Sequence, residues 1–393
     1  MKISKVEAFA VRLPRDYGKT GGRAGRAQRL ESGDGTYRWR SDYPALYSTE
    51  FETCLVQVTL NDGRVGWGEA QAPLAPEVAA QIVKSLLSVA IEGESFEPTQ
   101  ECIAKLWERM YSTMRVRGQT GGFMLDAIAG VDLALWHLAA HIQGGPLRNL
   151  LATSPRQRVP AYVSGTPGRT VEDRLAFTRD YYEDGFRIFK LYFENDWDLL
   201  IEQIDRMQED FDGIEVAVDA LWHLPAERAV ECAQELAERR VLWLECPLPP
   251  EDLAGHVELV NESGVRLALG KSYRTTHEAL PFFEKEILSY WQPDLGRSGI
   301  TETLALAKLA KSAGIAIVPQ VSIALPPQLN AAIECAAAIA NCLLCEYNPR
   351  VVEMANRFLE APGIEVRDGA YECSGIEFAG NRWESFVASL RAW

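Results

Sequence analysis

Residues 214–248 read IEVAVDALWHLPAERAVECAQELAERRVLWLECPL, and this stretch decides the fold. Residues 214–220 and 241–248 are short apolar runs rich in Val, Ile, Leu and Trp, the composition of buried strands. Between them, 226–240 is an Ala- and Glu-rich helical pattern. Strand, helix, strand implies a right-handed crossover and a parallel pair. Working outward, the same unit recurs. Candidate strands lie at 159–164, 186–193, 214–220, 241–248, 265–272, 287–294, 314–321 and 342–348. Their ends recur every 22 to 29 residues, with helical runs such as 300–313 between them. Eight such units predict an α/β fold of the closed (β/α)₈ kind. A doubly wound open sheet is the alternative, but no Gly-rich phosphate loop follows the first strand.

The flanks differ. Residues 3–11 alternate like a strand, and 52–60 and 64–70 form a hairpin about Asn61-Asp62-Gly63, residue types that tolerate positive φ. Helical patterns follow at 77–92, 98–112 and 122–142. We therefore divide the chain into an α+β capping domain, 1–126, a barrel, 127–351, and a strand-like, turn-rich tail, 352–393, that folds back on the capping domain. A long polar segment, 15–49, reads as a functional lid or a disordered loop, and its Arg23, Arg26 and Arg29 are candidates to meet an anion.

Composition narrows the function. The 393 residues, 47% hydrophobic and 24% charged, are ordinary for a globular protein with a large core. A net charge of −15 opposes nucleic acid and anionic lipid as partners. The start, MKISKVEAFAV, leads directly into a strand and does not read as a signal peptide. No long apolar run reads as a membrane span. Cys54, Cys102, Cys232, Cys246, Cys335, Cys342, Cys345 and Cys373 are scattered, which suits reduced thiols in a cytoplasmic protein. Cys342 and Cys345 form a C-x-x-C without a second pair or a nearby His, so no zinc site is expected.

In a barrel, chemistry sits at the C-terminal ends of the strands. On the second strand, Lys190 and Tyr192 share the inward side and Phe189, Leu191 and Phe193 the outward one. The third, fourth and fifth strands end at Asp219, Glu245 and Lys271, spaced 26 residues apart, so one βα unit separates each pair. The sixth ends at Asp294 and the seventh at Gln320, and the eighth carries Glu346. A lone acid at a strand end usually caps a helix. Two acids and two lysines converging on one mouth are hard to explain as structure, because an unpaired buried ammonium is costly. His223, just beyond the third strand, reaches the mouth, whereas His137, His141, His256 and His277 read as helix or surface residues.

These residues resemble the mandelate racemase and muconate lactonizing enzyme branch of the enolase superfamily. LVQVTLNDGRVGWGEA (55–70) resembles that family's capping hairpin, and AIAGVDLALWHLAAHIQGGPLRNLL (127–151) its helix leading into the barrel. WLECPLPPEDL (243–253) and QPDLGRSGITE (292–302) resemble its fourth- and sixth-strand motifs. The resemblance implies a capped barrel that assembles into a homo-oligomer. It implies proton abstraction beside a carboxylate, with Mg²⁺ held by three acids to stabilise the enediolate.

The sequence departs from that pattern. Asp219 and Glu245 stand at metal-ligand positions, but Lys271 replaces the third acid. Tyr192 replaces the second lysine of a Lys-x-Lys pair. Gln320 replaces a histidine, which leaves Asp294 without its expected partner, and Leu221 stands where a polar residue is common. An ammonium about 4 Å from Mg²⁺ is repelled by about 8 kcal/mol at an effective dielectric near 20. Mg²⁺ is therefore expected to bind weakly or not at all. Lys271 is expected near the cation's place, paired with Asp219 and Glu245.

The residues expected to act are Lys190, as carboxylate holder or base, and Tyr192, as the proton-transfer group if ammonium neighbours lower its pKa from about 10. Lys271 and Asp294 complete the catalytic set. Glu346, Gln320 and His223 are substrate contacts. The substrate class is a small hydroxy-carboxylate, and the reaction that of an acid-sugar dehydratase or racemase. A non-catalytic carboxylate-binding barrel is the competing reading. A lysine Schiff base is a third, opposed by the two acids beside Lys271.

Overall fold

A computed structural model describes residues 1–15, 35–40, 45–375, 378 and 380–391. The barrel strands are Arg158–Ser164, Ile188–Tyr192, Glu215–Asp219, Leu244–Glu245, Leu267–Leu269, Leu288–Trp291, Ala316–Ile317 and Cys345–Tyr347, in parallel order. The eighth pairs with the first, Glu346 opposite Tyr162, and a bridge from Ile317 to Cys342 joins the seventh to the eighth, closing the barrel. Register brings Tyr192 opposite Asp219 and Asp219 opposite Glu245. The barrel's lower interior is filled by Tyr162, Ala217, Trp243, Ala268, Tyr290 and Val318. Tyr162 meets Trp243 edge-on at 5.3 Å. The charged layer above thus rests on largely aromatic surface, which offers its ions little beyond the Trp243 indole N–H donated to Glu245.

The capping sheet joins Ile3–Pro14, Glu50–Leu60 and Val65–Ala70, antiparallel. Helix Phe123–Gln143 lies directly on it. A Cβ at Gly68 would stand 2.0 Å from the Gly130 carbonyl oxygen, so only glycine permits this approach. The same helix is long and apolar enough to cross a membrane, which the sequence reading did not register, but it is almost wholly buried between the sheet and the barrel.

The tail differs from expectation in two ways. Helix Pro349–Asn356 is the barrel's last helix and crosses the expected boundary at 351. Ala370–Glu372 then pairs antiparallel with the first barrel strand, Tyr371 opposite Val159. The final helix, Asn381–Arg391, docks on the capping sheet, burying Trp383, Phe386 and Val387 among Val11, Phe51, Leu55 and Trp67, with Met354 and Phe358 packed in the same cluster. The lone residue type that betrays this helix is its apolar spacing, Trp383, Phe386 and Val387, set in a segment otherwise dominated by turns.

Glu69 fastens cap to barrel. Fully buried on the capping hairpin, it accepts hydrogen bonds from the Leu325 and Gln328 backbone amides and from Thr53. Burial raises its pKa from 4.5 to about 7, against the lowering effect of those donors. The folded chain therefore holds this proton more tightly than the unfolded chain. That contribution to stability is fully present below about pH 4.5 and is lost as pH rises through about 7. Glu69→Gln is expected to flatten the decline of Tm across this window, and an unchanged slope would contradict the assignment.

Candidate active site

The strand ends open into a cavity of about 1570 Å³ lined by Lys190, Tyr192, Asp219, His223, Lys271 and Gln320, among others. At its floor, five charges form one network. Lys271 Nζ donates to Asp219 Oδ2 and Glu245 Oε1, both at 2.6 Å. Lys190 Nζ lies 3.1 Å from Glu245 Oε2, 3.1 Å from Glu346 Oε1 and 3.9 Å from Asp219 Oδ2. All five side chains are buried, Lys271 the least so at 8% exposure. Glu245 also accepts from Gln292 Nε2 at 2.8 Å and Trp243 Nε1 at 3.3 Å. The Val321 amide donates to Glu346.

Burial alone would lower the pKa of both lysines. The carboxylates around them more than reverse this, and both are held well above the ordinary lysine value. A lysine so held is a poor Schiff-base nucleophile, which opposes the third reading of the sequence. Asp219 is raised from 3.8 to about 6, first by burial and then by the Glu245 charge, with Lys271 opposing. Burial pushes Glu245 up as well, but its two ammonium partners prevail and hold it below the usual range.

The loop after the third strand is locked in place. Leu221 and Trp222 both have positive φ, 55° and 61°, a rare arrangement for such side chains. The Leu221 amide donates to Asp219 Oδ1 at 3.0 Å and the Trp222 amide to the Cys246 carbonyl at 2.7 Å. This presents the Trp222 ring to Lys271, 4.7 Å from Nζ. Strain of this kind concentrates at functional sites.

Tyr192 Oη is hydrogen-bonded to Ser164 Oγ at 2.7 Å, at the cavity wall. Amides take the place of the expected histidine beside Asp294: Gln320 Nε2 donates to its Oδ2 at 2.8 Å and Gln328 Nε2 to its Oδ1 at 3.0 Å. Asp294 also caps helix Leu295–Ser312 through the Gly296 amide. It is fully buried behind Gln320, and burial raises its pKa to about 6. Glu346 likewise lies beneath Lys190 rather than at the cavity surface. His256, read as a helix or surface residue, is a buried helix residue.

Sequence reasoning missed Ser164, Trp222 and Gln292. Ser164 and Gln292 sit on strands already recognised, and only the register reveals their neighbours. Trp222 depends on a backbone turn that no residue type announces. Of the expected lid, a short hairpin, Tyr37–Arg40 with Ala45–Ser48, is described, and Leu46, Tyr47 and Ser48 line the cavity. Arg23, Arg26 and Arg29 lie outside the described residues. Among the described residues, no group of three or more His, Cys, Asp or Glu side chains is arranged to hold a metal.

A capped (β/α)₈ barrel with acids and lysines converging on one mouth defines a class of enzyme scaffold. Residues 173–375 match the enolase C-terminal domain-like family, and residues 47–152 match the mandelate racemase / muconate lactonizing enzyme N-terminal domain. The chain belongs to the enolase superfamily, in the branch of mandelate racemase and muconate lactonizing enzyme. It is 28% identical over 276 residues to a D-galactarolactone cycloisomerase of Agrobacterium fabrum, covering 68% of this chain and 70% of that protein. A member of the enolase superfamily from Agrobacterium tumefaciens superposes with a TM-score of 0.87 at 29% identity, over 95% of both chains. A racemase from Streptomyces coelicolor with bound magnesium shares the fold, with a TM-score of 0.80 at 22% identity over 99% of each chain.

Proposed function

We infer that this enolase-superfamily enzyme takes the proton from the carbon next to the carboxyl carbon of a small hydroxy acid, as a dehydratase or racemase does, with the Lys271 ammonium in place of a divalent ion. The observation that carries this reading is the position of Lys271 Nζ, 2.6 Å from one oxygen of each family ligand. Mg²⁺ does not fit these residues. The ammonium occupies the space between the two carboxylates, and like charge repels a divalent ion there. No step here runs through a metal.

The chain's own groups divide the work. Lys271 and Lys190 supply fixed positive charge in a buried layer, where charge developing on substrate oxygen is stabilised without solvent reorganisation. Tyr192, held by Ser164 at the cavity wall, carries the proton. Gln320 and His223 line the cavity as substrate contacts. The name of the cycloisomerase relative supports a sugar-acid substrate.

The test is deuterium uptake beside the carboxyl carbon of sugar acids in D₂O with a chelator present. Exchange that persists without divalent ions is expected. Tyr192→Phe is expected to lower kcat by about a hundredfold with KM little changed, the usual contribution of a positioned acid–base group. Full turnover by that variant would remove Tyr192 from the mechanism. A second reading, a carboxylate-binding barrel without turnover, is favoured by the replacement of the family's histidine with Gln320. Tight binding of an acid with no exchange would select it.

A further inference from the structure

Gln320 is only 4% exposed, yet it lines the cavity. Its amide has a fixed direction. The carboxylate of Asp294 accepts from the Gly296 amide and Gln328 Nε2 on Oδ1, and from Gln320 Nε2 on Oδ2. Arg297 is the leading opposite charge on it. Burial raises Asp294 only to about 6, so at neutral pH it is an anion that accepts and does not donate. The Gln320 NH₂ must face it, because the carbonyl end would set two oxygens against each other. Oε1 therefore points the other way, and it accepts no hydrogen bond among the described residues.

Ser322 stands two residues on, exposed on the same cavity. Its Oγ accepts from Gln71 Nε2 at 2.9 Å and, at 3.4 Å, from Gln320 Nε2. Gln71 is buried just past the capping hairpin, so the cap itself sets this contact. A hydroxyl has two lone pairs and one proton. Both lone pairs of Ser322 are engaged, which leaves its O–H to donate, and that O–H has no acceptor among the described residues. An open acceptor and an open donor thus stand side by side, linked through one amide group.

Such a pair is selective. A carboxylate or carbonyl oxygen would oppose Oε1 lone pair to lone pair. An ammonium brings no lone pair for Ser322. An alcohol matches both groups, because it donates and accepts. The bond from Gln320 to the Asp294 anion also polarises the amide and makes Oε1 a stronger acceptor.

We propose that Gln320 Oε1 and Ser322 Oγ form a subsite that reads one hydroxyl on the carbon chain of the substrate, whose O–H donates to Gln320 and whose oxygen accepts from Ser322. This rests on the proton-abstraction reading above and adds to it a determinant of specificity distinct from the floor charges.

The experiment compares galactonate and gluconate with their monodeoxyfluoro derivatives, one carbon at a time along the chain. Fluorine keeps the charge and nearly the size of the acid but cannot donate. Quenching of tryptophan fluorescence gives Kd without turnover, and deuterium uptake in D₂O beside the carboxyl carbon gives KM. At one carbon, fluorine is expected to raise Kd and KM about tenfold, the loss of a hydrogen bond that leaves a buried acceptor unpaired. In Gln320→Met, which keeps the side-chain length, the effect of fluorine at that carbon should fall to about twofold or less. Ser322→Ala is expected to weaken binding of the hydroxylated acid about fivefold, and Ser322→Thr, which keeps the hydroxyl, to restore it. Because Ser322 is exposed, its variants test the subsite even where Gln320→Met fails to fold. Fluorine effects equal at every carbon, or undiminished in Gln320→Met, would overturn the subsite while leaving proton abstraction intact, as would Ser322→Ala binding like the parent. The expected hydroxyl preference in Kd without any exchange would keep the subsite and select the binding barrel over turnover. Neither binding nor exchange of any of these acids would overturn both.

Discussion

Lys271→Met is expected to destabilise the protein by about 3–5 kcal/mol at neutral pH and to abolish turnover. The substitution leaves Asp219 and Glu245 side by side and buried, with Lys190 3.9 Å from Asp219 as the remaining counter-charge for that residue. Methionine fills the stem volume, so the loss reflects charge and not a cavity. The deficit carries its own pH signature. Asp219 already titrates near 6 in the folded chain, above its ordinary 3.8, and removing Lys271 raises it further. A carboxyl raised on folding contributes stability that is fully present below its unfolded value and lost as pH rises through its folded value. The variant's deficit should thus be greatest above pH 6 and shrink toward pH 4. Denaturant unfolding at several pH values measures this. A variant as stable as the parent at neutral pH would show that Lys271 does not compensate the two acids.

Lys271→Glu is expected to have the opposite kind of effect, creating a Mg²⁺ site. Three carboxylates on adjacent strand ends would then face one point, and the repulsion of about 8 kcal/mol between ammonium and ion would give way to attraction. Even with much of that swing screened, a gain of about 4 kcal/mol, or a thousandfold in affinity, is expected. Calorimetry and the rise of Tm with Mg²⁺ measure it independently of any substrate. A variant that ignores Mg²⁺ would mean that position 271 does not share a focus with Asp219 and Glu245.

The barrel was legible because its signal is periodic. The apolar strands between 186–193 and 342–348 carry, at or near their C-terminal ends, residues whose type is wrong for a core (Lys190, Asp219, Glu245, Lys271, Asp294, Gln320 and Glu346), and those residues make up the site or back it. Residues spaced by one βα unit must meet at one mouth, so spacing alone brings Asp219, Glu245 and Lys271 together. The partners were harder to see. Gln320 looked like a loss because a histidine was expected, yet its amide donates to Asp294 as an imidazole would. Gln328 joins it from a helix whose packing depends on Glu69 across the domain boundary.

The tail misled for a related reason. Gly363, Asp368 and Gly369 announce turns, and the strand Ala370–Glu372 that follows them is real. Its partner, though, is the barrel's first strand, a pairing across more than half the chain that no local pattern specifies.

The most direct test of the central claim is the divalent-ion content of the unaltered protein purified in Mg²⁺, read with calorimetric titration. A fixed ammonium between Asp219 and Glu245 predicts no tightly held ion and no heat of binding. One divalent ion per chain, released by Asp219→Asn, would contradict it and return the chemistry to a bound metal.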